Sequence, residues 1–172
     1  TWLFVDIFIR IKMKVSFLLP TRGRSEDENG MLIESIASIV DTANSLDNFE
    51  ILIRFDDDDI KSINFFKKYV SENFSEVDIK VSIGFRWGYN KHNRYYNELS
   101  EKAKGDMLWL WNDDIEMGSD DWDITLKEAS DDGKRFVLFS QFLSTMRNMH
   151  FWYPGQSPFP IIPKRWFDTT KR

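Results

Sequence analysis

The sequence contains no cysteine and only two histidines, which excludes several classes of site. Without cysteine there is no disulfide scaffold, no thiolate zinc site and no cysteine nucleophile. His92 and His150 are too few for a histidine-rich metal site. A metal bound to this protein would therefore have oxygen ligands, which favours magnesium, manganese or calcium. The lack of cysteine also fits a reducing compartment, and we expect a cytoplasmic protein.

Long hydrophobic runs and an excess of positive charge are also absent. The apolar, aromatic segment at residues 1–12 is shorter than the roughly 20 residues that span a bilayer, and no small-residue cleavage site follows it. The formal net charge of -5 argues against a nucleic-acid-binding protein, because neutralising phosphates requires a basic face. We therefore expect no transmembrane segment and no nucleic-acid partner.

The length and composition are typical of one folded domain. The 172 residues can bury a sizeable core, and 16% of them are aromatic. Met13 and Lys14 directly precede a good strand, so we interpret residues 1–12 as an N-terminal extension that is not native, with an added edge strand as the alternative. Residues 13–172 are assigned to a single domain. The chain ends soon after a fresh apolar segment, which suggests a C-terminal truncation.

Apolar runs alternate with segments of helical periodicity along most of the chain. Strands are predicted at Lys14–Leu19, Phe49–Phe55, Ile79–Ile83, Asp106–Trp111 and Arg135–Phe142. Helices are predicted at Leu32–Ala43, Ile60–Val70, Asn93–Lys104 and Trp122–Ala129. This alternation predicts an α/β fold with a mostly parallel sheet. The aromatic, proline-rich segment Phe151–Phe167 is predicted to be a loop or lid.

Two acidic clusters, each directly after an apolar run, are the most informative feature. Glu50–Phe55 leads into Asp56–Asp59, and Met107–Asn112 leads into Asp113 and Asp114. A strand that ends in adjacent carboxylates aims them at one edge of a sheet, and in open α/β sheets ligands bind at that edge. Adjacent carboxylates repel one another and are tolerated best beside a cation or in water. The pattern therefore predicts a site for a divalent metal that carries a diphosphate, with solvated loops as the plainer alternative.

Three segments match the pattern of a known family in order and spacing. They are the strand and loop Val15–Arg22, the strand that ends in Asp56 and Asp57, and the segment from Asn97 through Ala103, Gly105 and Asp106 to Asp113 and Asp114. In this order, over roughly residues 14–122, they resemble family 2 glycosyltransferases. In that family a helix ends in Ala-x-Gly before a strand delivers a DXD-type motif. The resemblance implies the GT-A fold, a Rossmann-like αβα sandwich.

The resemblance also implies a nucleotide-sugar site. It assigns Thr21 and Asp57 to the nucleoside pocket, Asp113 to the ribose or sugar, and Asp114 to the metal. It further assigns to nucleotide binding Pro20, Arg22, Lys91 and Asn97. The sequence has Asn112-Asp113-Asp114-Ile115 instead of a literal Asp-x-Asp, so we predict that Asp114 and Glu116 are the metal pair.

The function that the resemblance implies is metal-dependent, inverting transfer of a sugar from a nucleotide-diphosphate donor to a saccharide or other hydroxyl acceptor. We expect a UDP-sugar with Mn²⁺ or Mg²⁺, because a divalent ion offsets the charge that builds on the leaving oxygen. Inversion needs a separate carboxylate to deprotonate the acceptor. Asp168 is the candidate base, with Asp121 and Asp123 as alternatives on chemistry alone, or the base lies beyond residue 172.

Two other functions remain open. One is a truncated or inactive domain that binds a nucleotide-sugar or a metal without turnover. The other is a sugar nucleotidyltransferase, which needs a glycine-rich basic loop after the first strand. The loop Pro20–Arg24 has only one glycine, which counts against the nucleotidyltransferase, although Arg22 and Arg24 flank that glycine and are candidates to grip phosphate.

Overall fold

A computed structural model describes residues 13–23, 30–138, 142–144, 150–152 and 159–170, with backbone alone for residues 142–144 and 150–152. The predicted extension at residues 1–12 and the candidate phosphate-binding residue Arg24 are not among the described residues. Within the described ranges, no helix is both long enough and apolar enough to cross a membrane.

The described chain alternates strands and helices, as the apolar pattern predicts. The strands are β1 (Val15–Thr21), β2 (Phe49–Asp56), β3 (Ile79–Gly84), β4 (Met107–Leu110), β5 (Phe142–Ser144), β6 (His150–Trp152) and β7 (Ile161–Pro163). The helices are α1 (Met31–Asp41), α2 (Ile60–Asn73), α3 (His92–Lys102), α4 (Trp122–Ala129) and α5 (Lys164–Thr170). Short 3₁₀ turns precede β2 and α3, at Leu46–Asn48 and Tyr89–Lys91.

Five strands form one sheet in the order β3-β2-β1-β4-β7. The first four are parallel, and β7 pairs antiparallel with β4 at the edge. Strands β5 and β6 form a separate antiparallel pair. The fold is therefore α/β with a mostly parallel central sheet, as the sequence predicts.

The two faces of the sheet carry different helices. Alternate side chains of β1 point to opposite faces: Phe17 belongs to a core cluster with residues of α1, α2 and α4, whereas Leu18 belongs to a second cluster with residues of α3. Helices thus cover both faces and form an αβα sandwich. The chain runs from β1 toward β3 with helices on one face, and then reaches β4 through α3 on the other face. The order of the strands therefore reverses between β1 and β4, where open α/β sheets bind ligands.

A buried polar cluster lies at the amino end of β4, at the edge of the sheet away from the carboxyl ends of the strands. Glu50, fully buried, accepts hydrogen bonds from Ser16 Oγ (2.6 Å) and from the backbone N–H of Lys104 (2.6 Å). Burial would raise the pKa of Glu50, but hydrogen bonds from Lys80 and Ser16 outweigh it and lower the pKa. A Cβ on Gly105 would lie 2.6 Å from Ser16 Oγ and 2.8 Å from the Lys14 carbonyl. The glycine of the Ala-x-Gly segment is thus needed because two strands approach closely there.

Two predictions about the C-terminal third are wrong. The predicted strand Arg135–Phe142 is not formed at residues 135–138, because a turn occupies residues 130–135 and Val137 makes one isolated bridge to Ile161. Residues 139–141 lie outside the described residues, and Phe142 begins β5. The tail Phe151–Phe167 is not wholly a loop or lid, because it contributes most of β6, all of β7 and the start of α5, while residues 153–158 lie outside the described residues. Ile161 is fully buried in the main core, and this burial explains why such a short segment joins the sheet.

Candidate functional site

A cleft opens at the carboxyl ends of β1, β2 and β4. Strand β1 pairs with β4 up to Leu18 and Leu110 and then continues to Thr21 paired with β2 only, so β1 and β4 separate at this edge. The described residues that line the cleft come from the three strand ends and from the loop after β3, namely Pro20, Thr21, Arg22, Asp56, Arg86, Gly88, Tyr89, His92, Tyr95, Asn112, Asp113 and Asp114. Five of the nine predicted binding or metal residues are therefore brought together: Pro20, Thr21, Arg22, Asp113 and Asp114.

A short hydrogen bond joins the first strand to the second acidic cluster. Thr21 Oγ1 donates to Asp113 Oδ2 over 2.6 Å, and both side chains are buried. Asn112 Nδ2 donates to Asp114 Oδ1 over 3.1 Å, and Asp114 is exposed at the cleft. The two neighbouring carboxylates thus have different surroundings: Asp113 is held in place by β1, while Asp114 faces solvent.

Tyr96 supports the segment that carries these carboxylates. Its hydroxyl donates to the backbone carbonyl of Trp111 over 3.0 Å. Burial, reinforced by the charges of Asp113 and Asp114, raises the pKa of Tyr96 to about 12. Tyr96 therefore stays protonated at neutral pH and acts as a hydrogen-bond donor that ties α3 to the end of β4.

The first acidic cluster is built around a buried arginine. Arg54 is almost fully buried, and its Nη1 donates to Asp56 Oδ1 over 2.6 Å. The guanidinium also lies over the rings of Trp87 and Tyr95, 4.7 and 4.4 Å from their centroids, and donates to the Phe85 carbonyl over 2.5 Å. A desolvated guanidinium is stable only with such partners. Arg54 therefore fixes both Asp56 and the loop after β3.

Tyr95 completes the support of Asp56. Its hydroxyl donates to Asp56 Oδ1 over 3.1 Å and accepts the backbone N–H groups of Trp87 (2.8 Å) and Gly88 (3.0 Å). One oxygen of Asp56 is thus held by Arg54 and Tyr95. The other, Oδ2, lies 3.5 Å from Arg22 Nη1 on the cleft side.

Four of the predicted ligand and metal residues lie outside the described lining of the cleft: Asp57, Lys91, Asn97 and Glu116. All four are exposed, and the carboxylate after β2 that lines the cleft is Asp56 rather than its neighbour Asp57. Lys91 ends the 3₁₀ turn between two lining residues, Tyr89 and His92, and Asn97 lies on α3. Their predicted roles stay predictions.

The candidate bases are each engaged in local contacts. Asp168 on α5 pairs with Lys164 Nζ at 2.7 and 2.9 Å. Asp123 is buried and accepts the backbone N–H groups of Asn44 and Ser45, at 2.9 and 3.2 Å. Asp121 accepts from Asn44 Nδ2 over 3.1 Å. These contacts anchor the loop before β2 and the first turn of α5, and none of the three carboxylates lines the described part of the cleft.

The carboxylates at the cleft match one kind of metal chemistry. In the part of the chain that the structure describes, no group of three or more histidine, aspartate or glutamate side chains is arranged to hold a metal ion. Mg²⁺ is usually held by one or two carboxylates together with substrate phosphates, rather than by an all-protein cage. Asp113 and Asp114 fit a metal of this kind, one that binds together with a phosphate ligand.

Seven of the described lining residues were not predicted as site residues: Asp56, Arg86, Gly88, Tyr89, His92, Tyr95 and Asn112. Four of them, Arg86, Gly88, Tyr89 and His92, belong to the loop after β3 or to the start of α3. The signal that could have found them is topological, because the loop after any parallel strand emerges at the same edge of the sheet. Lys91 is the residue of this loop that the resemblance assigns to nucleotide binding, and it is exposed outside the cleft.

Comparison with known proteins gives matches among solved structures alone. No family model and no curated protein matches the sequence. The chain is similar to S. aureus TarS 1-349 in complex with UDP-GlcNAc, with a TM-score of 0.66, 16% identity, and coverage of 91% of this chain and 47% of that one. It is similar to S. aureus TarS at a TM-score of 0.69 and 14% identity, covering 92% of this chain and 30% of that one.

A mannosyltransferase of known structure has a similar fold. The mannosyltransferase PcManGT from Pyrobaculum calidifontis, in complex with GDP-Man and Mn²⁺, matches with a TM-score of 0.55 and 12% identity over 65% of this chain and 30% of that one. The chain thus spans about half, or less, of the length of these structures. The sheet order, the helices on both faces and these matches together establish that the chain has the GT-A-type fold of nucleotide-sugar glycosyltransferases.

Proposed function

We propose that this chain binds a nucleoside-diphosphate sugar in the cleft between β1 and β4 and transfers the sugar, with inversion, to a hydroxyl acceptor. The observation that carries the proposal is the convergence of Thr21, Asp113 and Asp114 at this edge of the sheet. Structures of the same fold in complex with UDP-GlcNAc, or with GDP-Man and Mn²⁺, support it.

Asp114 is the proposed metal ligand, and Asp113 is the residue that orients the segment. Bound there, Mn²⁺ or Mg²⁺ would neutralise the charge that develops on the leaving diphosphate. Thr21 keeps the Asp113 carboxylate fixed through its short hydrogen bond. Asn112 holds one oxygen of Asp114. A carboxylate that is oriented before the ligand arrives loses less conformational freedom on binding.

Recognition of the nucleoside is assigned to the opposite side of the cleft. Asp56 presents Oδ2 there while Arg54 and Tyr95 hold Oδ1. A carboxylate oriented in this way accepts hydrogen bonds from N–H or O–H groups of a base or ribose. The exposed ring of Tyr89 also lines the cleft and offers a surface on which a base can stack.

The test is a calorimetric titration of UDP, GDP, CDP and dTDP, each with and without Mn²⁺, followed by an assay of sugar release from the matching nucleotide sugar. We expect one nucleoside diphosphate to bind in a Mn²⁺-dependent manner. In Asp114→Asn this dependence should disappear and sugar release should fall by roughly 100-fold or more, the loss typical of removing one group that stabilises developing charge.

The matched control is Asp120→Asn. Asp120 is an exposed carboxylate in the same loop, and it does not line the cleft, so its removal should change neither binding nor sugar release. Absence of binding by all four nucleotides would refute the proposal. Tight, Mn²⁺-dependent binding without sugar release or transfer would instead favour a binding domain without turnover.

A further inference from the structure

Two arginines from different loops lie on one wall of the cleft. Arg22 follows β1, Arg86 follows β3, and both line the cleft that Asp113 and Asp114 also line. The end of β4 thus contributes negative charge, whereas the loops after β1 and β3 contribute positive charge. A ligand that bears both a metal-bound group and further negative charge would match this division.

A single carboxylate joins the two arginines. Arg22 Nη2 donates to Asp58 Oδ2 over 3.1 Å, and Arg86 Nη1 lies 3.5 Å from the same oxygen. A hydrogen bond from Arg22 lowers the pKa of Asp58, and the charge of Arg86 adds to this effect. The three side chains together carry a net charge of about +1, since arginine stays protonated and Asp58 is ionised at neutral pH.

The ion pairs that Asp58 forms with Arg22 and Arg86 are exposed to solvent. The side chains of Arg22, Asp58 and Arg86 are 40%, 47% and 50% exposed, so water screens their attraction. Exposed ion pairs of this kind contribute little to stability. The arginines can therefore exchange Asp58 for another anion at small cost. By contrast, the buried Arg54 is committed to Asp56 and is not available for such an exchange.

Arginine is suited to phosphate, because its planar fork of N–H donors matches two phosphate oxygens at once. Two guanidiniums already held within reach of one carboxylate are spaced to share one anion. Arg22 also lies 3.5 Å from Asp56 Oδ2, which places it between the assigned nucleoside side and the Asp58 pair. If the nucleoside lies at Asp56, its diphosphate would extend past Arg22.

We propose that Arg22 and Arg86 together bind the diphosphate of the donor, and that Asp58 is the counter-ion that holds them in place until phosphate oxygens replace it. This inference rests on the proposed function and deepens it: the diphosphate is bound by two guanidiniums on one side as well as by the metal that Asp114 would hold on the other. It also predicts affinity for a diphosphate without any metal.

The test uses inorganic pyrophosphate as the probe, titrated by calorimetry into the protein in the presence of EDTA. We expect Arg86→Gln to weaken pyrophosphate binding by roughly 10-fold, the lower end of what a lost charge-assisted hydrogen bond costs. Arg22→Gln should weaken it similarly, and both variants should make binding less sensitive to salt. Asp58→Asn should tighten binding, because it removes the competing carboxylate.

The control variant is Arg135→Gln. Arg135 is exposed, lies 3.8 Å from Asp131 and does not line the cleft. The substitution therefore removes a similar ion-paired arginine that lies elsewhere on the surface. Pyrophosphate affinity that is equal in wild type and Arg86→Gln, or that does not rise in Asp58→Asn, would overturn the inference and leave a surface ion-pair cluster. Mn²⁺-dependent nucleotide binding would survive that outcome, so the failure of the inference is distinguishable from failure of the proposed function.

Discussion

The two acidic clusters look alike in sequence but are held very differently in the structure. In the cluster after β2, Asp56 pairs with the buried Arg54, and Asp58 pairs with arginines of two loops. In the cluster after β4, the carboxylates accept hydrogen bonds from uncharged donors, Thr21 and Asn112. We therefore expect the first cluster to contribute more to stability than the second.

The largest effect on stability should come from Asp56→Asn. The substitution leaves Arg54 buried without its closest anionic partner, and breaking a buried ion pair in this way costs about 3 kcal/mol of unfolding free energy. Urea unfolding followed by circular dichroism measures the change. The comparison variant is Asp114→Asn, whose unfolding free energy should stay within about 0.5 kcal/mol of wild type. Equal losses in the two variants would remove the distinction between the clusters.

A smaller effect is expected from Thr21→Val, which keeps the shape of the side chain and removes its hydroxyl. Asp113 would then lose a buried hydrogen bond of 2.6 Å, and leaving a buried acceptor without its donor costs roughly 1–2 kcal/mol. The affinity for nucleoside diphosphate with Mn²⁺ should fall as well, because the carboxylates are no longer held by β1. Thr21→Ser retains the hydroxyl and should behave like wild type in both measurements; if it matched Thr21→Val, packing of the methyl group would be the cause.

The smallest effect is expected from Asp57→Asn. Asp57 is exposed and does not line the cleft, so the unfolding free energy should change by less than about 0.5 kcal/mol. Nucleotide affinity, measured by calorimetry, should not change. A clear loss of affinity would instead support the assignment of the nucleoside to Asp57, as the resemblance to family 2 glycosyltransferases implies, and count against Asp56.

The positions of the parallel strands and of their helices were predictable because each leaves a periodic apolar pattern. Strands β1 to β4 lie where apolar runs predict them, to within a few residues at each end. Strand β7 was not predictable in this way, because Ile161–Pro163 is three residues long and becomes a strand by pairing with β4. The predicted strand Arg135–Phe142 is wrong at residues 135–138, because the chain there leaves a turn that ends at Arg135 and Val137 makes a single bridge.

The candidate site was predictable in part for a related reason. Residues at the end of a parallel strand or just after it reach the ligand-binding edge by topology alone, and Thr21, Asp113 and Asp114 follow this rule. The choice between Asp56 and Asp57 depends on which carboxylate Arg54 and Tyr95 hold. Arg54 is only 2 residues from Asp56, but Tyr95 is 39 residues away, so the local pattern around the acidic cluster does not by itself reveal the choice.

Periodicity and strand ends are local properties, so the sequence predicts the α/β class, a mostly parallel sheet and the edge of the sheet at which the carboxylates gather. Tertiary structure places Asp56, and not Asp57, in the cleft beside the buried Arg54 and Tyr95. It also brings Arg86 beside Arg22, across 64 residues of chain. The contacts of Tyr95 and Arg86 join side chains that are remote in sequence, and such contacts exist only once the sheet has formed.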